Sequence, residues 1–146
     1  MKKTLVFISS LILIVAMPEA KSQNLNVMTF NIRYNTMSDS VNAWPYRKDK
    51  VASQVLFHKA HILGVQEALH DQMMDLQERL PKYKYAGLGR DDGKEKGEYS
   101  AIFYDTTRLH ALQAKTFWLS ETPEQAGSKK LGCCYYQDSY VDKIQG

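Results

Sequence analysis

Two polar side chains near the ends of two apolar runs have the types and the spacing that could hold a cation. Asn31 lies near the end of the run 25–33, and Glu67 closes the run 62–67. A hard cation such as Mg²⁺ takes oxygen ligands and needs few of them from the protein, so a carboxylate aided by an amide oxygen could form part of its shell. Glu67 could also act as a general base. The plain alternative is a strand that ends on a surface glutamate.

The elements around these two residues place them at one edge of a predicted sheet. The run 25–33 is predicted to be a central strand and the run 62–67 a buried strand. Pro45 suits the first turn of a helix between them. Strands joined through a helix normally run parallel and lie close together, and open α/β sheets hold ligands at the carboxyl ends of their strands. Asn31 and Glu67 are therefore expected to face one site.

The rest of the sequence adds a second helix and three further strands. Apolar residues at i, i+4, i+7 and i+11 from Leu69 predict a helix that Pro81 ends. Strands are predicted at 83–88, 99–104 and 116–119. Two strand–helix–strand units followed by strand-rich sequence indicate an α/β or α+β architecture.

The loop at 87–97 (GLGRDDGKEKG) is rich in glycine and in charge. A phosphate-binding loop would continue into Gly-Lys-Ser/Thr and open a helix, and the sequence does neither here. We therefore predict a solvated, hairpin-like connection between two strands.

The composition is that of at most one globular domain, with 146 residues, 44% of them hydrophobic and 24% charged. A net charge of +3 would suit a nucleic-acid partner, but residues 1–22 read as a signal peptide. They have a basic start, an apolar stretch too short to span a bilayer, and small residues before a cleavage site. Cleavage of this peptide would remove three lysines and one glutamate. The 19 basic and 16 acidic residues of the whole sequence would then become 16 and 15, a net charge of +1.

This near-neutral charge does not support a nucleic-acid partner. The mature chain is expected to be exported, to the periplasm or outside the cell, and to have no membrane association after the signal is cleaved. Its two cysteines, Cys133 and Cys134, are adjacent. A disulfide between them would be strained and two thiols alone make no metal site, so no disulfide framework is expected.

Five segments, taken together and in their order, resemble the N-terminal half of the endonuclease/exonuclease/phosphatase superfamily, and its exported bacterial branch in particular. The segments are Val27–Arg33 (VMTFNIR), Trp44–Arg47 (WPYR), Leu63–Glu67 (LGVQE), Gly97–Tyr104 (GEYSAIFY) and Phe117–Pro123 (FWLSETP). The resemblance implies that residues 23–128 form the N-terminal half of a four-layer fold, a partial two-sheet sandwich flanked by helices. It also implies divalent-metal-dependent hydrolysis of phosphoesters, with Mg²⁺ or Mn²⁺ as the cofactor.

The resemblance also assigns roles to individual residues. Glu67 corresponds to a principal metal ligand. Asn31 corresponds to a residue that orders the metal and phosphate region, so the resemblance implies that it is both a metal ligand and a catalytic residue. Glu98 matches a catalytic carboxylate, with a surface glutamate at a strand start as the alternative. Arg33 could face a substrate phosphate or form a salt bridge. His61 stands where family members often carry Asp, and we expect it to be structural.

The family's later motifs are not found in this sequence. They are a phosphate-contacting histidine, a Gly-Asp-x-Asn motif that places the attacking water, and a Ser-Asp-His motif. With Asn31 and Glu67 alone, the water would have no base and the transition state would lack most of its stabilisation. The chain as written is therefore expected to be a very poor catalyst.

The tail at 129–146 has a feature that a reading-frame shift would explain. Codons for Lys130 to Gly146, read from the second base of the Lys130 codon, can encode SWDAAITKTAMWTKFK, which is similar to the segment that follows SETPE in this branch. We therefore hypothesise a single-base shift near Lys129 and expect 129–146 to be a disordered tail. A half-sandwich of this kind would leave Ile102 and Phe103 uncovered, so the fragment is expected to self-associate.

Two classes of function follow from these observations. The first is a Mg²⁺-dependent phosphoesterase, truncated and inactive in this form, whose intact parent acts on a phosphoester of unknown class. The second is a non-catalytic exported binding or interaction remnant. Mg²⁺ binding at Glu67 would favour the first class, and its absence the second.

Overall fold

The computed structural model describes residues 24–129 and, in the segment 137–145, the backbone alone. The predicted signal peptide at 1–22 lies outside the described residues, and so do Cys133 and Cys134. None of the helices in the described ranges has the length and the apolar character that crossing a bilayer requires.

Four strands form the main sheet, in the order β1-β2-β4-β3. They are β1 (Val27–Asn31), β2 (Ile62–Ala68), β3 (Tyr83–Ala86) and β4 (Tyr99–Asp105). β1 runs parallel to β2, whereas β4 runs antiparallel to both β2 and β3. The strands lie close to their predicted positions. Among the described strands, however, β1 lies at the edge of the sheet rather than at its centre, where its apolar residues predicted it. Apolar residues indicate that the faces of a strand are buried, but they do not show whether both of its edges are hydrogen-bonded to other strands.

Two helices cover one face of this sheet. They are α1 (Trp44–Phe57), with Pro45 in its first turn, and α2 (His70–Arg79), which ends shortly before Pro81. Proline fits the first turn because that N–H has no partner within the helix, and it cannot continue a helix that has begun. A 3₁₀ helix, Met37–Asn42, precedes α1.

The core lies between the helices and this face of the sheet. Its fully buried apolar members include Val55, Leu63, Val65, Met73, Leu76, Leu80 and Phe103. The expectation that Phe103 would be uncovered is wrong: its ring packs on Tyr85, with ring centroids 5.2 Å apart, on the helix side of the sheet. Ile102, its neighbour in β4, points to the other face and is half-buried. Period-two alternation separates two faces but does not say which one the helices cover.

A second sheet pairs β5 (His110–Trp118) with β6 (Gln137–Gln145) in antiparallel register. The predicted α/β (α+β) class, a partial two-sheet arrangement with helices, is confirmed. The extended backbone of 137–145 differs from the disordered tail that we expected. Main-chain hydrogen bonds can add a strand to an edge with little demand on its side chains, so this pairing does not decide the reading frame, and the frame-shift hypothesis stays a prediction.

Candidate functional site

The carboxyl ends of β1 and β2 meet and bring Asn31 and Glu67 together. The parallel register pairs Asn31 with Gln66, so Glu67 follows immediately at the same edge of the sheet. Asn31 Nδ2 donates a hydrogen bond to Glu67 Oε1 at 2.7 Å. The two residues singled out from the sequence therefore form a direct pair, although their chemical roles stay predictions.

A β-bulge presents the Glu67 side chain at this edge. Val65 pairs with Ala101 and Ala68 pairs with Tyr99, so β2 has one more residue than β4 between these pairs. Val65 and Ala68 are both buried, and Glu67 between them is half-buried. Leu63 and Val65 face the core, so strict alternation would also point Glu67 towards the core. The extra residue shifts the alternation, and Glu67 can therefore leave that position. Its φ of 61° is left-handed, a conformation that costs roughly 1–2 kcal/mol for a residue with a Cβ.

The Asn31 amide is oriented by two hydrogen bonds. Its Oδ1 accepts from the backbone N–H of Arg33 at 2.9 Å, so the NH₂ group must face Glu67. Glu67 Oε2 accepts no hydrogen bond from the described residues. In this arrangement Asn31 fixes the carboxylate through its nitrogen and leaves Oε2 available to a cation. For Asn31 to be a metal ligand as well, it would have to use the second lone pair of Oδ1.

The buried side chain of Gln72, on α2, holds the segment that follows β1. Its Nε2 donates to Arg33 O at 2.9 Å, and its Oε1 accepts from Asn35 N at 2.8 Å and from Leu69 N at 3.0 Å. Gln72 has no exposed surface, so its amide is held by these three protein hydrogen bonds rather than by bulk water. The sequence reasoning missed this residue. The available signal was a polar side chain beside Met73 and three residues after Leu69, among the apolar positions of the helix.

Arg47, on α1, holds the same segment from the other side. It donates through Nη1 to Ile32 O, through Nη2 to Arg33 O at 2.7 Å, and through Nε to Asn42 O at 2.8 Å. Its guanidinium also lies 5.1 Å from the centroid of the Trp44 ring. Burial is the main cause that lowers the pKa of Arg47. Arg47 belongs to the WPYR segment quoted above, but no role was predicted for it. Here it fixes the backbone next to Asn31.

Arg33 forms the salt bridge that was one of its two predicted alternatives. Nε lies 3.2 Å from Asp39 Oδ2 and Nη2 lies 3.3 Å from Asp39 Oδ1. The guanidinium also lies 4.3 Å from the centroid of the Tyr34 ring. The hydrogen bond with Asp39 is the main cause that raises the pKa of Arg33, and the negative charge of Glu67 contributes in the same direction. The backbone N–H of Arg33, rather than its guanidinium, is linked to Glu67 through Asn31.

Glu98 lies at the same edge of the sheet, because β4 begins where the antiparallel β2 ends. Its Oε2 accepts a hydrogen bond from Arg90 Nη1 at 2.9 Å. The carbonyl oxygen of Arg90 accepts from Trp118 Nε1 at 2.6 Å and from Gly127 N at 3.1 Å. Glu98 therefore helps anchor the glycine-rich loop to the end of β5. Its assignment as a catalytic residue stays a prediction.

The glycine-rich loop itself connects β3 and β4, which are antiparallel neighbours. Asp92 Oδ1 accepts from the backbone N–H groups of Lys94 at 2.8 Å and Lys96 at 3.0 Å. These bonds give the loop a turn of its own, in keeping with a hairpin-like connection. His61 lies at the opposite, amino end of β2, where Nδ1 accepts from Asn26 N at 2.9 Å, as a structural residue would.

The donor atoms at the edge of the sheet suit a hard divalent cation in part. Among the described residues, no three His, Cys, Asp or Glu side chains gather in one group. Mg²⁺ is commonly bound through one or two carboxylates together with water and substrate phosphate oxygens. A single carboxylate with one available oxygen, as Glu67 has, fits that pattern of binding. Glu67, with Asn31 beside it, would hold such an ion.

Comparison with known proteins gives the same architecture. An endonuclease/exonuclease/phosphatase from Bacteroides vulgatus is 44% identical over 76% of this chain, with a TM-score of 0.74. A mannosyl-6-phosphatase from Bacteroides thetaiotaomicron VPI-5482 is 42% identical over 76% of the chain, with a TM-score of 0.72. An endonuclease/exonuclease/phosphatase family protein from Bacteroides thetaiotaomicron is 39% identical over 79% of the chain, with a TM-score of 0.72.

The chain spans less than half of each of these structures, namely 43%, 42% and 44% of their lengths in the same order. No protein-family model and no curated protein matches the chain. The likeness to solved structures therefore supports a phosphoester-cleaving family at a coarse level, and the activity of a whole protein remains a matter for proposal.

Proposed function

We propose that the site formed by Glu67 and Asn31 serves divalent-metal-dependent hydrolysis of phosphoesters. The chain carries part of the endonuclease/exonuclease/phosphatase fold. The observation that supports this proposal best is the Glu67–Asn31 pair on a strained bulge at the carboxyl ends of two parallel strands. Ligands of open α/β sheets bind at such strand ends. Left-handed residues other than glycine are also concentrated at functional sites.

Each residue of this chain has a defined part in the proposed site. Glu67 would hold Mg²⁺ or Mn²⁺ through its available oxygen, and Asn31 would keep that carboxylate in place. When bound, the ion would supply positive charge to a phosphoester oxygen. Gln72 and Arg47 fix the backbone beside Asn31 and so limit the movement of the pair.

The proposal also covers the activity, location and substrate of the protein. Because the sequence contains neither Gly-Asp-x-Asn nor Ser-Asp-His, we expect this chain to bind the ion but to hydrolyse phosphoesters very slowly. We expect export to the periplasm or the cell exterior. A relative named a mannosyl-6-phosphatase makes a sugar phosphate a sensible first substrate for an intact parent.

Metal binding by the chain itself is the direct test. Free Mn²⁺ is measured by electron paramagnetic resonance during titration of the wild-type protein, Glu67→Gln and the control Glu78→Gln. Glu78 is a carboxylate on α2 with 78% of its side chain exposed. Loss of a partner outside the ligand shell commonly weakens metal binding 10–100-fold, so loss of the ligand charge at Glu67 should weaken it by roughly tenfold or more.

The control variant should bind Mn²⁺ as the wild type does. If the wild-type protein binds no Mn²⁺ at millimolar concentration, or if Glu67→Gln binds it equally well, the metal site is refuted. The second function, a non-catalytic exported binding or interaction remnant, would then be favoured.

Activity can be tested in a protein whose reading frame is restored after codon 129. Hydrolysis of a generic bis-aryl phosphate should then appear, require Mg²⁺ or Mn²⁺, and stop on addition of EDTA. Glu67→Gln should lower that activity by roughly 10²-fold or more, the scale expected when a main electrostatic element is lost. Asn31→Ala should cost less, because an uncharged amide only positions the carboxylate.

A further inference from the structure

A group of large apolar side chains is exposed beside the segment that follows β1. Met37 and Val41, on the 3₁₀ helix, are 70% and 79% exposed, and Tyr46, in the first turn of α1, is 66% exposed. Together with Ser40 and Lys50 they line an open groove of about 570 Å³, which we call the Met37 groove. Small-molecule sites commonly have volumes of about 300–1,000 Å³ and apolar walls with a few polar groups. The Met37 groove has a volume and a lining of this kind.

The 3₁₀ helix that forms one wall of the Met37 groove is held in place by polar contacts. Asp39 Oδ2 lies 3.2 Å from Arg33 Nε, and Asn42 O accepts a hydrogen bond from Arg47 Nε at 2.8 Å. Ser40 has a φ of 50° and a ψ of −120°, a sparsely populated conformation of the kind that is concentrated at functional sites. Polar residues therefore anchor this helix, while its large apolar side chains are exposed. A wall that is fixed in advance loses less entropy when it binds a ligand.

The Met37 groove adjoins the candidate site. Arg33 contacts both, because its backbone N–H donates to Asn31 Oδ1 at 2.9 Å and its guanidinium pairs with Asp39. Asp39 lies in the chain between Met37 and Ser40, which both line the groove. An ester whose phosphate group lay at the candidate site could therefore extend its organic group along the 3₁₀ helix into the groove.

Charge favours an anionic ester over a second copy of the chain as the occupant of the Met37 groove. Lys50, in its lining, forms no ion pair with any of the described residues. Two copies that packed through the groove about a twofold axis would bring two such ammonium groups together, and like charges oppose association. An anionic ester would instead place negative charge near Lys50. Tyr46 supplies an aromatic face on which a ring of the ligand can stack.

We infer that the Met37 groove binds the organic group of the phosphoester substrate and that this group contains a ring with an apolar face. The inference rests on the proposed function, because it names the class of substrate for that site. Tyr46 would stack on the ring, with Met37 and Val41 beside it. The shared chemistry is a ring whose phosphate is joined through an ester oxygen. Aryl phosphates and sugar phosphates both have this chemistry, and the experiment separates them.

Titration of the wild-type protein with phenyl phosphate and with methyl phosphate, in the presence of Mg²⁺, tests the inference. The two ligands share the phosphate group and differ in the organic group, and ¹H–¹⁵N chemical shifts report affinity, location and folding together. Phenyl phosphate should shift the amides of the groove and bind roughly tenfold more tightly than methyl phosphate, the gain expected when one face of a ring leaves water. A hexose phosphate is titrated in parallel, and the tighter of the two ring esters identifies the preferred ring.

Tyr46→Ser should remove most of this tenfold preference and leave the binding of methyl phosphate unchanged. Phe57→Ser is the matched control, since Phe57 is also an exposed aromatic residue of α1 but lies at its other end, and it should keep the preference. Val41→Ser should lower the preference by a smaller factor, because valine has less apolar surface than tyrosine.

Three results would overturn the inference. The first is equal binding of all three esters by the wild type, and the second is an equal loss of preference in Tyr46→Ser and Phe57→Ser. The third is a set of groove shifts that follow protein concentration rather than ligand concentration, which would make a second copy the occupant.

Phenol, which has no phosphate group, distinguishes this inference from the proposed function. At high concentration it should shift the groove amides of the wild type and of Glu67→Gln alike, but not those of Tyr46→Ser. If the wild type binds no Mn²⁺ while the phenol shifts depend on Tyr46, the metal site is refuted and ring binding in the groove stands. If Mn²⁺ binding depends on Glu67 but the binding of the ring esters ignores Tyr46, the inference alone is refuted.

Discussion

Replacing Gln72 by leucine should reveal how strongly the buried amide holds the segment after β1. Leucine has a similar volume, so the cavity left behind should be small. The change removes both the acceptor of the Asn35 and Leu69 N–H groups and one donor to Arg33 O. Arg33 O keeps its bond from Arg47, so two N–H groups lose their partner in the folded protein.

The magnitude follows from these two N–H groups. A buried donor without a partner costs about 1–3 kcal/mol, which gives roughly 2–6 kcal/mol for the pair. Asn35 and Leu69 are both half-buried, so water can reach part of their backbone, and leucine adds some apolar burial. We therefore expect a loss of about 2–3 kcal/mol in the free energy of unfolding, a large share of the roughly 5–15 kcal/mol typical of a domain.

Urea unfolding, followed by circular dichroism and tryptophan fluorescence, measures this loss. Gln54→Leu is the matched control, because Gln54 is an exposed residue of α1 and undergoes the same chemical change. Surface substitutions usually change stability by less than about 0.5 kcal/mol. If Gln72→Leu and Gln54→Leu unfold within that margin of each other, the buried amide does not hold the segment.

Two further predictions concern pH and association. Burial opposes ionisation of Asp75, but hydrogen bonds from Lys48 and Trp44, with the charges of Lys48 and Arg79, lower its pKa. The stability that Asp75 contributes should be present above its unfolded value of about 3.9 and be lost as the pH falls through the lower folded value, so the difference in urea unfolding between wild type and Asp75→Asn should shrink as the pH is lowered below about 3.9. Val27, 69% exposed on the edge strand β1, should promote association through that edge; Val27→Lys should reduce the concentration dependence seen in sedimentation velocity, and an unchanged profile would contradict this role.

The pairing of Asn31 with Glu67 could be predicted because it follows from chain topology. A helix marked at its start by Pro45 joins two apolar runs, and strands joined in this way are parallel neighbours. Parallel neighbours bring their carboxyl ends to one edge. No side-chain detail is needed for that step. The sequence therefore predicted which two residues meet, although it did not predict which atom of the Asn31 amide faces the carboxylate.

Other features of the site depend on contacts that a pattern of apolar residues does not contain. The bulge at Glu67 adds one residue to β2, and its position is set by the pairing of Ala68 with Tyr99 across two strands. In the sequence, Gln72 looks like a polar interruption of an apolar helix face. Only the folded structure shows that its amide bonds the backbone of Arg33 and Asn35. Phe103 was expected to be uncovered but is fully buried, because alternation along a strand does not show which of its two faces the helices cover. Each of these features is decided by tertiary packing rather than by local sequence.

The backbone of the site indicates why charged residues stand where they do. Arg33 and Glu67 both have left-handed φ values, 59° and 61°, and glycine would adopt this conformation without a steric penalty. Each side chain therefore comes with a local loss of stability of about 1–2 kcal/mol. The hydrogen bonds from Gln72 and Arg47 to the carbonyl oxygen of Arg33 offset part of that loss. Glycine at either position would remove this penalty, and strain of this kind is concentrated at functional sites. Asn31 connects the backbone N–H of Arg33 to the Glu67 carboxylate, so both strained residues belong to the same hydrogen-bonded edge of the sheet.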